Sequence, residues 1–475
     1  MQAKRSLNLF SDKLFPVPSD ELHLNNPIIS SLVERAREEL KAQAGDACSL
    51  LSPQAQEQLP SALSGLLARL LLLGSDSEYL EKAVRFWVEA QCEMLLRLQL
   101  DRTEIEEIFY NGDHCGQVKE FILDLSDRHD RGRSVAALTF ESGLKLVYKP
   151  RDIGIEAWYF HTLQWLNQIG APLPFQILRV LSRPGYGWVQ FISHRRCCCD
   201  DELVQYYRNA GALLCLLHVL RAQDCHFQNL VACGKYPVLV DAETLFQPQF
   251  TDSEIASVER TGMIPHWRFG PQGQAYDVSA LGCVVPRLTH FWIPRWRDTG
   301  VQFEFGVLTP QENVPFSVDD PITPQSYVED MVEGFAETYL FLVDHRSPLL
   351  AKIKTAAGLQ VRYLVRETVE YYEALNDGLG STTISGVTLR TLTKSRAVFD
   401  PLLPDEVNAL KQLDIPRFTL PTTSCDLCEV ENSFRACGLE MAIDHIERLG
   451  ARDLEQQVTK LRLSWSLFRL ASSLS

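Results

Sequence analysis

The stretch from residue 224 to residue 243, DCHFQNLVACGKYPVLVDAE, decides how the rest of the chain is interpreted. Asp224, His226 and Asn229 lie in a short polar turn, and the apolar strand PVLV then leads to Asp241. In phosphoryl transfer one carboxylate orients or deprotonates a hydroxyl, while an Asn and a second Asp hold Mg²⁺. The order of residues therefore favours a kinase-like site, although the stretch lacks the His-Arg-Asp and Asp-Phe-Gly motifs of protein kinases. The alternative is an ordinary polar loop before a strand.

A lysine upstream of this stretch strengthens the kinase-like interpretation. Lys149 ends the strand LKLVYKP, which we predict to be an inner strand, and Glu156 follows on a predicted helix. A lysine in this position can reach the phosphates of ATP, and a helix carboxylate can hold it in place. Downstream, the strand that leads to Asp241 also brings in a second acidic residue, Glu243. Without this order of elements, Lys149 would be interpreted as a solvent-exposed residue at the end of a strand, because most lysines are exposed.

The composition is that of a globular protein, and the charge excludes some functions. The chain has 475 residues, of which 45% are hydrophobic and 23% charged, and its formal net charge is -15. Such an acidic balance argues against nucleic-acid binding, which needs a basic surface. The N-terminus lacks the apolar core of a signal peptide, and the apolar run at 64–74 is too short to span a membrane. We therefore expect a cytoplasmic protein without a membrane partner.

The 13 cysteines fit a reducing compartment, since no secretory signal precedes them. Cys425 and Cys428 form a single CxxC motif with Cys437 nearby, which is a weak indication of a zinc or redox site.

The periodicity of apolar residues predicts an α+β protein with two kinase-like lobes and an added helical region at the N-terminus. The period is helical from 24 to 110 and becomes that of strands from 117 to 149 and again from 175 to 192. Further helices are predicted at 154–169, at 203–222, at 325–346, at 359–376 and at 438–472. We place the helical region at 1–115, the smaller lobe at 116–200 and the larger lobe at 201–475.

The turn between the first predicted strands, SDRHDRGRS, is unusually rich in ionisable residues. A turn in this position covers the nucleotide phosphates in kinase folds, usually with a glycine-rich backbone. Here Asp127 and His129 could hold a substrate or transfer a proton near the phosphate. A plain solvated turn is the alternative.

Several motifs in one order carry a family resemblance: LVYKPR, SDRHDRGRS, YGWVQFI, the block from Asp224 to Glu243, VRYLVRETVEYY and DIPRF. Together they resemble the dehydratase domain of class II lanthipeptide synthetases over roughly 100 to 420. That resemblance implies a fold like that of the phosphoinositide-type lipid kinases. It also implies phosphorylation of Ser and Thr in a ribosomal precursor peptide by ATP and Mg²⁺, followed by elimination of phosphate to give dehydroalanine and dehydrobutyrine.

The resemblance also implies residue roles. Lys149 would contact the ATP phosphates, Asp224 would align or deprotonate the substrate hydroxyl, and His226 would support the loop or the transferred phosphate. Asn229 and Asp241 would bind Mg²⁺, and Glu243 would complete or order the metal shell. For elimination, the family pattern matches Asp127 and His129 in the turn and two residues of VRYLVRET, Arg362 and Thr368.

Elimination needs a cation for the departing phosphate and a base for the α-proton. Arg362 and Thr368 are six residues apart, which on a helix places them nearly two turns apart and roughly on one face. Arg366, one turn from Arg362, is an alternative phosphate partner.

We expect no C-terminal cyclase domain of the kind found in the complete synthetases. The chain is then either an excised domain or a stand-alone dehydratase with a separate cyclase as partner, beside the leader-bearing precursor peptide. Two other functions stay open. One is a kinase that stops at phosphorylation of a peptide or small molecule. The other is a degenerate domain that only binds the peptide, although Lys149, Asp224 and Asp241 are all intact.

Overall fold

A computed structural model describes the fold of most of the chain. The described residues are 26–72, 77–250, 256–266, 268–269, 275–276, 278–282, 289–297, 300–308, 314–316, 324–368, 370–372, 374–375 and 397–473.

The chain begins with helices α1 (Pro27–Ala44), α2 (Pro53–Leu72) and α3 (Ser77–Tyr110), as the helical periodicity predicts. Asn26 caps α1, because its side-chain oxygen accepts hydrogen bonds from the backbone N–H groups of Ile28 and Ile29. The three helices share one hydrophobic core with one face of the following sheet.

The sheet has five antiparallel strands: β1 (Val118–Ile122), β2 (Ala136–Phe140), β3 (Lys145–Lys149), β4 (Val180–Arg183) and β5 (Tyr186–Gln190). Their order across the sheet is β1-β2-β3-β5-β4, so β3 is the central strand and Lys149 at its end pairs with Gly187 of β5. This confirms the prediction that Lys149 ends an inner strand.

A buried carboxylate joins α3 to the sheet. Asp101 accepts a hydrogen bond from Arg183 Nε at 2.9 Å and another from Trp188 Nε1 at 2.8 Å. Because Asp101 is nearly fully buried, these bonds satisfy a charge that would otherwise be costly to desolvate. The opposite side of the sheet faces α4 (Gly154–Gln168), which belongs to the second and larger core.

The larger core surrounds α5 (Asp200–Val219), which is buried along almost its whole length and leads directly into the DCHFQN turn. The hairpin of β6 (Leu230–Cys233) and β7 (Tyr236–Leu239) follows, and Asp241 comes two residues after its second strand. Helix α6 (Val328–Asp344) packs across α5, and α7 (Arg346–Lys354) continues from it.

The C-terminal part adds short elements around this core. A two-stranded hairpin pairs Thr289–Arg297 with Gly300–Leu308, and a smaller one pairs Arg268–Phe269 with Ala275–Tyr276. The described chain ends with the helices Leu403–Lys411, Gly438–Arg448 and Ala451–Ser473. Short 3-10 helices lie at several places along the whole chain: Gly45–Leu50, Val258–Thr261, Pro324–Tyr327 and Ala397–Leu402. The helix predicted over 438–472 is thus two helices, separated at Leu449 and Gly450.

The helix predicted over 359–376 is wrong in its first half. Gln360–Tyr363 is a strand that pairs with the strand Phe418–Pro421, and Arg362 lies opposite Thr419. Helical backbone begins only at Thr368. The apolar positions Val361 and Tyr363 are buried with the period of two that a strand shows, and pairing with a distant segment outweighs the local helical pattern.

These helices and antiparallel sheets confirm the α+β class. The kinase-like comparison and the boundaries after residues 115 and 200 stay predictions. Among the described helices, none has the length and apolar character needed to cross a membrane.

Close packing of α5 on α6 yields a prediction about stability. A Cβ atom at Gly211 of α5 would overlap the backbone oxygen of Met331 in α6. We expect Gly211→Ala to lower the free energy of unfolding by about 1–3 kcal/mol, since the helices would have to separate. Urea unfolding followed by circular dichroism measures the change.

The matched control is Gly65→Ala in α2, where an added Cβ meets no atom within 4 Å. That change should be neutral or stabilising by up to about 1 kcal/mol, because alanine favours helix more than glycine does. Equal losses from both substitutions would contradict the packing argument.

Candidate active site

The DCHFQN turn is held in an uncommon backbone conformation. Asp224 has a φ of 57°, in the left-handed region that non-glycine residues seldom occupy. Asn229 Nδ2 donates to the Asp224 backbone oxygen at 2.8 Å, and Cys225 N donates to the Thr261 oxygen at 2.8 Å. Such strain persists only where the surroundings impose it, and it is concentrated at functional sites.

His226 lies beside Asp224 in this turn. The Gln228 backbone N–H donates to His226 Nδ1 at 3.2 Å, so Nδ1 is the acceptor nitrogen and Nε2 carries the proton in the neutral ring. Nε2 lies 3.6 Å from Asp224 Oδ1. Burial raises the pKa of Asp224, while the nearby His226 and Arg362 act to lower it. The turn therefore holds a carboxylate with raised proton affinity.

The predicted ion pair between Lys149 and Glu156 is present and buried. Lys149 Nζ donates to Glu156 Oε2 at 2.7 Å and to the Val240 backbone oxygen at 2.8 Å. The second bond ties the central strand of the sheet to the residue just before Asp241. The lysine ammonium and the end of the β6–β7 hairpin are therefore held at a fixed separation.

The Arg151 guanidinium links three carboxylates, those of Glu156, Asp241 and Glu243. Its Nη1 lies 2.7 Å from Glu156 Oε1 and 3.3 Å from Glu243 Oε2, and its Nη2 donates to Asp241 Oδ1 at 2.8 Å. The side chain is only 10% exposed, so these contacts are weakly screened by solvent.

Glu243 is the centre of the site. Arg362 Nη1 donates to its Oε1 at 2.8 Å, and Arg417 Nη2 donates to its Oε2 at 3.0 Å. Its backbone oxygen also accepts from Arg362 N at 2.7 Å. Burial alone would raise the pKa of Glu243, but Arg151, Arg362 and Arg417 together hold it well below its usual range. Glu243 is therefore ionised and surrounded by three guanidinium groups.

The SDRHDRGRS turn docks onto the DIPRF segment that supplies Arg417. His129 Nδ1 donates to the Ile415 backbone oxygen at 2.6 Å, so its Nε2 is the basic nitrogen. Asp414 is almost fully buried, and its Oδ1 accepts a hydrogen bond from Gly132 N at 2.8 Å. The turn is thereby held close to the arginines around Glu243.

Both ionisable residues predicted in that turn have shifted pKa values. Burial raises the pKa of Asp127, whose Oδ1 accepts from Tyr372 Oη at 2.7 Å, while Arg362 acts to lower it. Burial and the charges of Arg362 and Arg417 lower the pKa of His129 to about 3. Burial thus favours the neutral form of each group.

The oxygen donors Asn229 and Asp241 fit a magnesium ion, which prefers carboxylate and amide oxygens. Asn229 uses its Nδ2 within the turn, and Arg151 contacts one oxygen of Asp241. Glu243 fits a metal less well, because three arginines already surround its carboxylate. Its role as a metal ligand stays a prediction, as do the other roles assigned above.

The remaining predicted residues, Arg362, Thr368 and Arg366, lie in different surroundings. Arg362 reaches the site from a strand rather than a helix, so the one-face argument that joined it to Thr368 is wrong. Thr368 is half-buried, and no hydrogen bond between described residues joins it to the cluster. Arg366 forms a buried ion pair with Glu406 at 2.7 Å.

Arg151 and Arg417 are site residues that the sequence reasoning missed. Both lie inside motifs that carried the resemblance, LVYKPR and DIPRF. A charge balance would have indicated them, because several buried carboxylates close together require cations.

The arrangement predicts a large stability cost for neutralising Glu243. Glu243→Gln would leave three arginines with a weaker partner, and we expect a loss of about 3–5 kcal/mol in the free energy of unfolding. Because the pKa of Glu243 is lowered in the folded state, its contribution to the free energy of unfolding is complete above the ordinary pKa of 4.5. That contribution is lost as the pH falls towards the lowered pKa. Urea unfolding of both proteins between pH 7 and 3 measures the difference, which should shrink with acidification.

Glu329→Gln is the control, since the Glu329–Arg462 pair lies on the surface. Its cost should not exceed about 1 kcal/mol. A Glu243→Gln protein as stable as this control would contradict the central role of Glu243.

Comparison with known proteins places the chain in a family. Residues 77–421 match the family model described as Domain of unknown function (DUF4135). The Lacticin 481/lactococcin biosynthesis protein LcnDR2 of Lactococcus lactis subsp. lactis is 25% identical over 381 residues, covering 71% of this chain and 40% of that protein. The chain therefore spans well under two thirds of that relative's length. Both matches confirm the resemblance to the LanM-type dehydratases, those of class II lanthipeptide synthetases. Because the family model covers more than half of the sequence, this chain belongs to the DUF4135 family.

Proposed function

We propose that this chain is a dehydratase of lanthipeptide maturation. It phosphorylates Ser and Thr residues of a ribosomal precursor peptide with Mg-ATP and then eliminates phosphate, which leaves dehydroalanine or dehydrobutyrine. One observation carries the proposal: residues predicted for phosphorylation and residues predicted for elimination meet at Glu243. Arg151 connects Glu243 to Glu156 and Asp241. Arg362 contacts Glu243, and its charge also acts on Asp127 and His129.

In the first half-reaction, Asp224 orients the substrate hydroxyl and accepts its proton as the oxygen bonds to the γ-phosphorus of ATP. The bond from that phosphorus to the β–γ bridging oxygen breaks, and ADP leaves. Its raised pKa supports this role, because a carboxylate with higher proton affinity is the better base. Lys149, fixed by Glu156 and the Val240 oxygen, would contact the ATP phosphates. Asn229 and Asp241 would hold Mg²⁺, which neutralises charge on those phosphates when bound.

In the second half-reaction, a base removes the α-proton of the phosphorylated residue. The electron pair forms the Cα–Cβ double bond, and the Cβ–O bond breaks to release phosphate. Arg362 and Arg417 supply planar donors for the departing phosphate. The candidate bases are His129, whose Nε2 is the acceptor nitrogen because Nδ1 bonds to the Ile415 oxygen, and Asp127, whose pKa is raised by burial. Thr368 belongs to the proposed set through the resemblance alone.

The second candidate function is a kinase that phosphorylates without elimination. It would use the same Lys149, Asp224, Asn229 and Asp241. The proximity of Asp127 and His129 to Arg362 favours dehydration, because phosphorylation alone requires none of these three.

A leader-bearing precursor peptide incubated with the protein, ATP and Mg²⁺ tests the proposal, with peptide mass as the readout. The wild type should remove water from Ser or Thr, and Arg362→Ala should accumulate phosphopeptide with at least a tenfold loss of dehydrated product. Asp224→Ala should give neither. Arg462→Ala, which alters only a surface ion pair, is the control and should match the wild type. Persistent phosphate in the wild-type product would favour the kinase, and full dehydration by Arg362→Ala would exclude that residue.

A second experiment isolates elimination by supplying a precursor peptide that already carries phosphoserine. Asp224→Ala should still convert it to dehydroalanine, because the phosphorylation step is bypassed. Arg362→Ala should leave it unchanged. Equal failure of both variants, with folding verified by circular dichroism, would show that the two half-reactions do not divide between these residues.

A further inference from the structure

A second cluster of chemically reactive side chains lies outside the site around Glu243. His218 is in the last turn of α5, His445 is in the helix Gly438–Arg448, and Asp453 is in the first turn of the helix Ala451–Ser473. One donor atom from each lies within 4.8 Å of the other two. Among the described residues this is the one such group of three His, Cys, Asp or Glu side chains.

The two histidines are buried without the hydrogen bonds that buried rings require. His218 is only 3% exposed and His445 only 8% exposed. Among the described residues, none forms a hydrogen bond with His218 Nε2 or with either ring nitrogen of His445. Buried polar groups are nearly always satisfied, so these nitrogens indicate an additional ligand.

The surroundings of Asp453 resemble those of a metal ligand. Asp453 Oδ2 accepts from Tyr339 Oη at 2.7 Å, and its Oδ1 accepts from Gln457 Nε2 at 2.9 Å. Metal-binding histidines and carboxylates are typically oriented by such outer hydrogen bonds.

We propose that His218, His445 and Asp453 bind a structural Zn²⁺ ion. Two imidazole nitrogens and one carboxylate oxygen are usual zinc donors, at roughly 2.0–2.2 Å from the ion. Donors on a tetrahedral ion are roughly 3.4 Å apart, so the three atoms would draw together by at most about 1.4 Å. Cys215, fully buried one turn before His218, is a candidate for the fourth position. The ion would fasten α5, which leads into the catalytic turn, to the two C-terminal helices.

The test measures zinc bound to the full chain without a histidine tag. The protein is stripped with a chelator, given Zn²⁺, desalted and assayed by elemental mass spectrometry. We expect about one more ion per chain in the wild type than in His218→Gln or His445→Gln. His161→Gln is the matched control, because His161 is an exposed residue of α4, and it should retain the wild-type content. Zn²⁺ should raise the melting temperature of the wild type and of this control only.

Cobalt provides a readout that needs no variant. Co²⁺ added to the stripped wild type should give the visible absorption of a tetrahedral site, with a thiolate charge-transfer band if Cys215 is a ligand. A folded wild type that binds neither ion would overturn the proposal. So would equal zinc content in all four proteins, since the uptake would then belong to other residues such as the surface cysteines. None of these outcomes depends on the dehydratase activity.

Discussion

The ionised carboxylate of Glu243, buried among three arginines, is the interaction on which the site depends. Arg151 follows the central strand of the sheet, Arg362 lies on a strand of the larger core, and Arg417 comes from the DIPRF segment beneath the SDRHDRGRS turn. These segments are distant in sequence and are joined here through one side chain. A buried charge is costly unless it is paired, so each arginine must stay close to Glu243 for the fold to be stable. Arg151 also contacts Glu156, which in turn binds Lys149, so the constraint extends to the smaller sheet.

Much of the architecture could be predicted because its signals are local. The helices from 27 to 110, the strands of the sheet and α4 all follow the periodicity of their own residues. The position of Lys149 on an inner strand and its pairing with Glu156 could be predicted for the same reason, since strand and helix are separated by a short connection. The order of motifs then indicated which of many ionisable residues belong together.

The residues that escaped prediction depend on contacts between distant segments. The strand Gln360–Tyr363 exists because Phe418–Pro421 lies beside it, and its four residues alone are too few to distinguish strand from helix. Arg151 and Arg417 acquire their role only when Glu243 comes within reach of both. His218 and His445 are likewise 227 positions apart in the sequence and meet only through the packing of three helices. Pairing of this kind is set by tertiary structure rather than by spacing.

The charge balance of the centre explains why one network would suit both halves of a dehydration. Four basic side chains, those of Lys149, Arg151, Arg362 and Arg417, contact three acidic ones, those of Glu156, Asp241 and Glu243. Around Glu243 three guanidinium groups face one carboxylate, and this arrangement suits an additional anion. Both proposed half-reactions place a phosphate group there, first as the group being transferred and then as the group that departs, and the same arginines can stabilise it in each.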